Sequence, residues 1–488
     1  MPVIRIPALN QTLVAETGAN LLSVLRQAGI YPDVPCGGKG TCGKCTVLAD
    51  GVAYSACKTI VDRDMTLVLP KMQKHQILHT GLCAPKRVDP LRAGFLLAFD
   101  IGTTSLVCYL LDGKTGTVLA NSSMLNPQVS FGADVVTRIQ AALRGSLGPL
   151  KEQIREAMSE LIRTVCGQAG ISPEQIGVVS VVGNPAMQQL FLGISPENLS
   201  HIPFAPALTE PEAVPCRELL PAVPHAQLLI VPNISGYVGA DTIACLLSTG
   251  LYEKEEITLL VDIGTNGEMV LGSKHRMIAC ATAAGPALEG ANIRFGMRAA
   301  QGAIDHVWME NGQWKYSVLG GGKARGICGS GLIDAVAMGL KSGLINKRGR
   351  IRTEDHTLHL TEDIYLTQED VRQLQLAKGA VCAGILLMAK QLGLNLDDIQ
   401  KVRLAGAFGS FLDPKSACRI GLLPEALLDR IEIVGNAAGI GAQMLACDQT
   451  LLPLTKVLTD SVEYLELASL PSFARIFAKS MQFREEAV

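Results

Sequence analysis

"LLAFDIGTTSLVCYLLD", Leu96 to Asp112, is echoed by "LLVDIGTNGEMVLG", Leu259 to Gly272. Each stretch is an apolar run that ends in Asp-Ile-Gly-Thr and is followed by a second run of strand-like alternation, so each reads as strand, glycine turn and returning strand. Asp100 and Asp262 stand 162 residues apart. A repeat that long is not a solenoid and predicts two similar halves. One such turn alone is most simply a hairpin, but two in corresponding positions can clasp one nucleotide. The N–H groups of a glycine turn can meet a phosphate, the threonine hydroxyl can add a hydrogen bond, and an aspartate at the strand end can hold Mg2+ through water.

Ahead of the first half lies "VPCGGKGTCGKCTVLADGVAYSACK", Val34 to Lys58, in which Cys36, Cys42 and Cys45 follow a C-x5-C-x2-C spacing and Cys57 comes after eleven more residues. An iron–sulfur cluster needs four thiolates around a small inorganic core, with backbone N–H groups close to the sulfurs. Gly37, Gly38, Gly40 and Gly43 permit that approach. Zinc is the rival, but zinc ribbons present two separate C-x2-C knuckles and only one occurs here. Cys83, in "HTGLCAPKR", is the alternative fourth ligand; Cys57 is favoured because it lies in the short return "YSACK". Around the loop, "VIRIP" and "TLVAE" predict a hairpin. Asn20 predicts a helix N-cap before Leu21, Leu22, Leu25 and Ala28 with Gly29 as the stop, and "CTVLAD" and "MTLVLP" predict strands.

The remaining features bound the class. The chain has 488 residues, 48% of them hydrophobic, and a formal charge of −2, enough for several buried cores and too little field to attract nucleic acid or an anionic membrane. The start "MPVIRIPALNQTL" lacks the apolar core of a secretory signal, and "AVCAGILLMA" from Ala380 is too short to cross a bilayer. A cytoplasmic protein is expected, in which the scattered cysteines among the 14 are small buried residues and form no disulfide framework. Three parts are expected: residues 1–70, a basic linker over 71–93, and 94–488 divided into lobes at 94–255 and 256–488. His75 and His79, four apart in the linker, lack further ligands nearby.

The cysteine loop and its strands resemble a β-grasp [2Fe-2S] ferredoxin of the wider family, since the first spacing is one residue longer than the plant-type pattern. The paired D-I-G-T motifs resemble the phosphate loops of the superfamily that contains acetate and sugar kinases, actin and heat-shock ATPases. "LAGAFGSFLDP" is similar to its adenosine loop and "IVGNAAGIGAQML" to its connecting helix. With "NPQVSFGADVVTRI", "VVGNPAMQQLFLG", "GYVGADTIACLL" and "GICGSGLIDAVAMGL", the combination resembles the reductive activators of corrinoid proteins from Val3 to about Cys447. The fold class implied is mixed, α+β and α/β, a β-grasp ferredoxin followed by a two-lobed actin-like, ribonuclease H-like ATPase.

The resemblance implies an ATP-hydrolysing iron–sulfur reductase of anaerobic metabolism. It would return Co(II) to Co(I) in the cobalamin-binding corrinoid protein of a methyltransferase system, drawing on an external low-potential electron donor. Cys36, Cys42, Cys45 and Cys57 would ligate the cluster. Asp100 and Asp262 would position Mg2+ and water, and the turns Gly102–Thr103–Thr104 and Gly264–Thr265–Asn266, with Gly267, would hold the phosphates of ATP. Gly406 and Gly409 would let the chain approach base and ribose, their plain alternative being a tight turn. Glu268 would orient water, its plain alternative being a surface strand carboxylate. A homodimer is a further expectation.

The family commonly carries a middle domain, whereas only residues 71–95 separate "LVLP" from "LLAFD" here, which implies a shortened architecture. The C-terminal cysteine cluster of [4Fe-4S] activators is also missing, and Cys328 in "GICGSG" reads as a buried thiol at a helix start, the alternative being a ligand shared between subunits. "EQIREAMSELIRTVCGQAG" predicts an amphipathic helix, "SLPSFARIFAKSMQF" a helix packed outside, and "IPFAPALTEPEAVPCRELLPAVPHAQ" a surface loop before strand "LLIVP". Two other functions fit the same motifs: an ATP-driven donor to another low-potential metalloenzyme, and a redox-sensing scaffold that binds nucleotide without turnover.

Overall fold

A computed structural model describes residues 1–9, 11–28, 30, 32, 40, 45–69, 87–89, 94–409 and 411–483, the side chains of 407 and 408 apart. Cys36, Cys42, Cys83, His75, His79, Gly29, Gly37, Gly38, Gly43 and most of the linker lie outside the described residues.

The amino-terminal part is a β-grasp. Val3–Ile6 and Gln11–Val14 form the expected antiparallel hairpin, and Val3–Ile6 pairs in parallel with Met65–Val68, which continues to Thr46–Ala49 and Val52–Ser55. Helix Leu21–Gln27 covers this sheet because Leu21, Leu22, Val24 and Leu25 lie on one face. Asn20 caps it by accepting the Ser23 N–H, and its amide donates to the Cys57 carbonyl at 3.0 Å. One side chain thus joins the helix start to the cluster segment.

Two six-stranded sheets follow. In the first, Phe95–Ile101 runs antiparallel to Ser105–Asp112, which pairs with Val118–Leu125; on its other side it runs parallel to Ile176–Gly183, which pairs with Gln227–Ile230. In the second, Thr258–Ile263 has the same neighbours in the same senses: Gly267–Ser273 and Arg276–Thr282 on one side, Lys401–Ala405 and Ile431–Gly435 on the other. The sequence echo is therefore an echo of topology. Each sheet adds one edge strand of its own, Glu212–Pro215 in the first and Val462–Tyr464 in the second.

The sheets meet through helices Ala240–Thr249 and Ala437–Cys447, which share an apolar core with strand residues of both lobes, among them Leu96, Tyr109, Leu260 and Val270. Their approach is close: a Cβ on Gly441 would stand 2.1 Å from the Ala244 carbonyl oxygen. Only glycine fits there. The ferredoxin part touches the first lobe through Arg26, which donates to the Ser130 carbonyl and lies over the Phe131 ring at 5.1 Å.

Two expectations need correction. The proline-rich stretch after Ile202 is not purely a surface loop: it supplies edge strand Glu212–Pro215 and buries Cys216, Leu220 and Val223, because its prolines fall where an edge strand needs no donor. The segment around Ala380 belongs to the 25-residue helix Gln368–Leu392, long and apolar enough to span a bilayer; yet 72% of its most apolar window is buried inside the protein, so it packs as a core helix. Other readings hold. Leu147–Ala169 ends on left-handed Gly170, Phe473–Ser480 lies on the outside, and the nine described cysteines after residue 94 are all buried, Cys328 at a helix start among them.

Candidate nucleotide cleft and cluster site

Both D-I-G-T strands deliver their turns to one cleft between the sheets, lined by Asp100, Asp262, Thr104, Thr265, Gly406 and Glu268 among others. The Oγ1 atoms of Thr104 and Thr265 are 3.2 Å apart. In each turn the glycine N–H bonds back across it, Gly102 to the Ser105 carbonyl and Gly264 to the Asn266 carbonyl, both at 2.9 Å. Gly102, Thr103, Gly264 and Asn266 line the same cleft.

Steric demands sort the predicted glycines. A Cβ at Gly102 would come within 2.8 Å of the Ser105 oxygen, and one at Gly406, whose φ is +90°, within 2.6 Å of Asp262 Oδ1. Gly406 thus lets the following turn press against the aspartate. Gly267 and Gly409 do not line the cleft; they lie behind its wall, against Thr282 and Leu404 respectively. Glu268 is in the cleft wall and not on an outer surface.

Several groups missed by sequence reasoning hold the first turn. Asn126 and Asn184 each cap a helix with the side-chain oxygen and donate the amide to the turn, Asn126 to the Gly102 carbonyl at 2.9 Å and Asn184 to Thr103 Oγ1 at 3.0 Å. Both precede proline, a helix-start signal that could have marked them. Arg138, fully buried, donates to the Gly132 and Thr103 carbonyls. Burial pulls this guanidinium down to about 9, partly opposed by Asp134. Asn126 and Arg138 flank the same segment that Arg26 of the ferredoxin part touches.

Asp100, Asp241, Asp262 and Glu268 hold their protons above the ordinary carboxylate range. Enclosure, then the charges of Asp262 and Asp241, push Asp100 up to about 7 against a bond from Asn436. Enclosure and Asp262 do the same to Asp241, also to about 7. Asp262 is raised to about 6 by enclosure, and Glu268 is driven well upward by enclosure and then by Asp241 and Asp262. Asp241 was not foreseen as a site residue, although its motif was. Arg298 is the single cationic side chain among the described residues that line the cleft. Five acids, Glu289 being the fifth, facing so little positive charge fit a divalent cation. No three of the described Asp, Glu, His or Cys side chains converge into a ready-made metal cage, which suits Mg2+ that keeps its waters and is held largely by phosphate.

At the other site, Cys45 and Cys57 place their sulfurs 3.3 Å apart, and the Cys57 N–H points to Cys45 Sγ at 3.5 Å. Cys45 is buried and Cys57 half-buried. Two thiols this close without a disulfide fit ligands that share one metal atom. Gly40 sits at φ +73°, in the left-handed region that favours glycine, beside the end of the Lys58 side chain.

Comparisons with known proteins agree with this architecture. Residues 5–68 match the 2Fe-2S iron–sulfur cluster binding domain, residues 95–254 the RACo middle region, and residues 256–488 the C-terminal ASKHA domain of RACo. The second match corrects the expectation of a shortened chain. The middle region is present, and it is the segment that carries the first D-I-G-T strand, so no separate domain is needed between linker and cleft. The corrinoid activation enzyme RamQ of Eubacterium limosum is 36% identical over 421 residues, spanning 80% of this chain and 71% of that protein. A methylated amine-specific Co(II) corrinoid protein reductase of Methanosarcina barkeri is 27% identical, over 73% of this chain and 70% of its own. Among solved structures, a reductive activator for a corrinoid, iron–sulfur protein superposes with a TM-score of 0.76 at 29% identity, covering 99% of this chain and 98% of that one. With a ferredoxin part, two facing phosphate turns and these relatives, the chain belongs to the family of ATP-dependent reductive activators of corrinoid proteins.

Proposed function

We propose that this protein uses ATP to move one electron from its amino-terminal [2Fe-2S] centre to the Co(II) corrinoid of a partner protein in a methyltransferase system, restoring Co(I). The observation that carries the ATP-driven part is the meeting of Thr104 and Thr265, from separate sheets, at 3.2 Å across one acid-lined cleft. The identity of the acceptor rests on the family.

Cys36, Cys42, Cys45 and Cys57 would hold the cluster, which supplies one-electron chemistry near roughly −400 mV. A tenfold shift in a one-electron equilibrium takes about 59 mV. Co(I) is a stronger reductant still, so the transfer is uphill unless the chain adds a state-dependent contribution. The two lobes are the element able to do so. The turns Gly102–Thr103–Thr104 and Gly264–Thr265–Asn266 would bind phosphate from opposite sides, drawing the sheets together. Asp100 and Asp262, with Asp241, would orient the waters of Mg2+, and Glu268 would accept a proton from the attacking water. A closed form that binds the Co(I) partner more tightly than the Co(II) partner shifts the electron-transfer equilibrium by that ratio of affinities. An external low-potential donor then re-reduces the protein. Reduced thiols and an anaerobic, cytoplasmic setting belong to this reading.

Phosphate release tests it. Mg–ATP hydrolysis by the anaerobically reconstituted protein is expected to rise on adding Co(II) corrinoid protein and to stay level with unrelated low-potential metalloproteins. Equal stimulation by both would reject the acceptor assigned here.

A further inference from the structure

Glu289 lies in the cleft between the two phosphate turns, and neither the sequence motifs nor the mechanism above uses it. It ends the short 3-10 helix Pro286–Glu289, whose Ala287 and Leu288 are buried. The helix is anchored behind by Gly290, where a Cβ would meet the Met297 carbonyl oxygen at 2.4 Å. The chain just after Glu289 is thus closely packed, and the Glu289 side chain lies in the cleft.

One carboxylate oxygen accepts the hydroxyl of Thr104 and the other accepts the hydroxyl of Thr265, the latter at 3.0 Å. The two hydroxyls lie on different sheets, so the carboxylate ties the first lobe to the second. A threonine hydroxyl has one proton to give. Both protons that would meet phosphate oxygens are thus directed to Glu289. A nucleotide phosphate, acceptor only and negatively charged, can take these bonds only by turning the hydroxyls away from a second anion at the same place.

We propose, building on the nucleotide reading above, that Glu289 is an interlobe latch and the residue by which the cleft distinguishes ATP from ADP. The terminal phosphate of ATP takes Thr104 and Thr265 from the carboxylate and breaks the tie, whereas ADP leaves it closed. The cleft therefore opposes ATP with a like charge at the point where the third phosphate enters. Release of the latch frees the lobes to rearrange only when that phosphate is present.

The test compares equilibrium binding of Mg–ADP and of a non-hydrolysable Mg–ATP analogue to the full-length protein and to Glu289→Gln by titration calorimetry. Removing the charge is expected to tighten the analogue by about tenfold and to change ADP by less than about twofold. Equal changes for both nucleotides, no change, or weaker binding of the analogue would overturn the latch; weaker binding is the result expected of a carboxylate that serves the metal. If the variant does not fold, hydrogen exchange on the unaltered protein decides. The amides of Leu288 to Ala291 should exchange differently with the analogue and with ADP, and identical exchange overturns the proposal. Failure of the unaltered protein to bind either nucleotide is a separate outcome that overturns the nucleotide reading itself, and the latch with it.

Discussion

The two phosphate turns share D-I-G-T and the same strand neighbours, yet the protein supports them differently. The first is braced by Asn126, Asn184 and Arg138 and admits no side chain at Gly102. The second is roomier: a Cβ at Gly264 would find nothing nearer than 3.8 Å, and Thr265 leans on Glu289. A repeat in sequence preserves what touches the ligand and leaves the bracing free to diverge. One turn is a fixed wall, and the other faces it through a group that can let go.

Arg138→Met should break the contrast most strongly. The Thr103 and Gly132 carbonyls would lose their buried donor, with an expected cost of about 3 kcal/mol in unfolding free energy and weaker nucleotide binding. Denaturant titration checks the first and calorimetry the second; an unchanged midpoint would mean that the first turn does not depend on its brace. Smaller and more diagnostic is a matched pair of alanines. Gly102→Ala must push the Ser105 carbonyl aside, at roughly 1–3 kcal/mol, whereas Gly264→Ala should cost under about 0.5 kcal/mol. Equal losses would erase the asymmetry.

A further effect is electrostatic and is read as a pH trend. Asp100 stands at about 7 and Asp262 at about 6, both above the ordinary carboxylate value of about 4. Between about pH 4 and 7 the folded protein holds protons that the unfolded chain has released, so this contribution is full at low pH and is lost as pH rises through that window. Without Mg2+ the thermal midpoint should therefore decline from pH 5 to 8, and Asp100→Asn should flatten the decline more than Asp262→Asn. Mg2+ needs the ionised acids, so its stabilising effect should grow over the same range. A Mg2+ effect independent of pH would contradict the raised values.

The contrast also marks what a sequence can carry. Strand, turn and D-I-G-T are local, written within a dozen residues, and so the two lobes, the β-grasp and the two phosphate turns of the cleft were legible. Asn184, Arg138, Asp241 and Glu289 were not, because their roles arise only when distant segments meet; Glu289 sits 185 residues from the Thr104 it binds. Gly267 and Gly409 belong to motifs that touch the cleft, yet they pack against Thr282 and Leu404 and are not among its lining residues. The middle region was overlooked for a related reason, since a segment that completes a lobe leaves no linker to announce it.

The central claim is that ATP makes an uphill electron transfer possible. Its most direct measurement follows the visible absorbance of Co(II) corrinoid protein under strict anaerobiosis, mixed with the reduced full-length protein, with and without Mg–ATP. Conversion to Co(I) is expected with Mg–ATP and should be nearly absent without it. Cobalt reduction at the same rate and to the same extent in both mixtures would contradict the account.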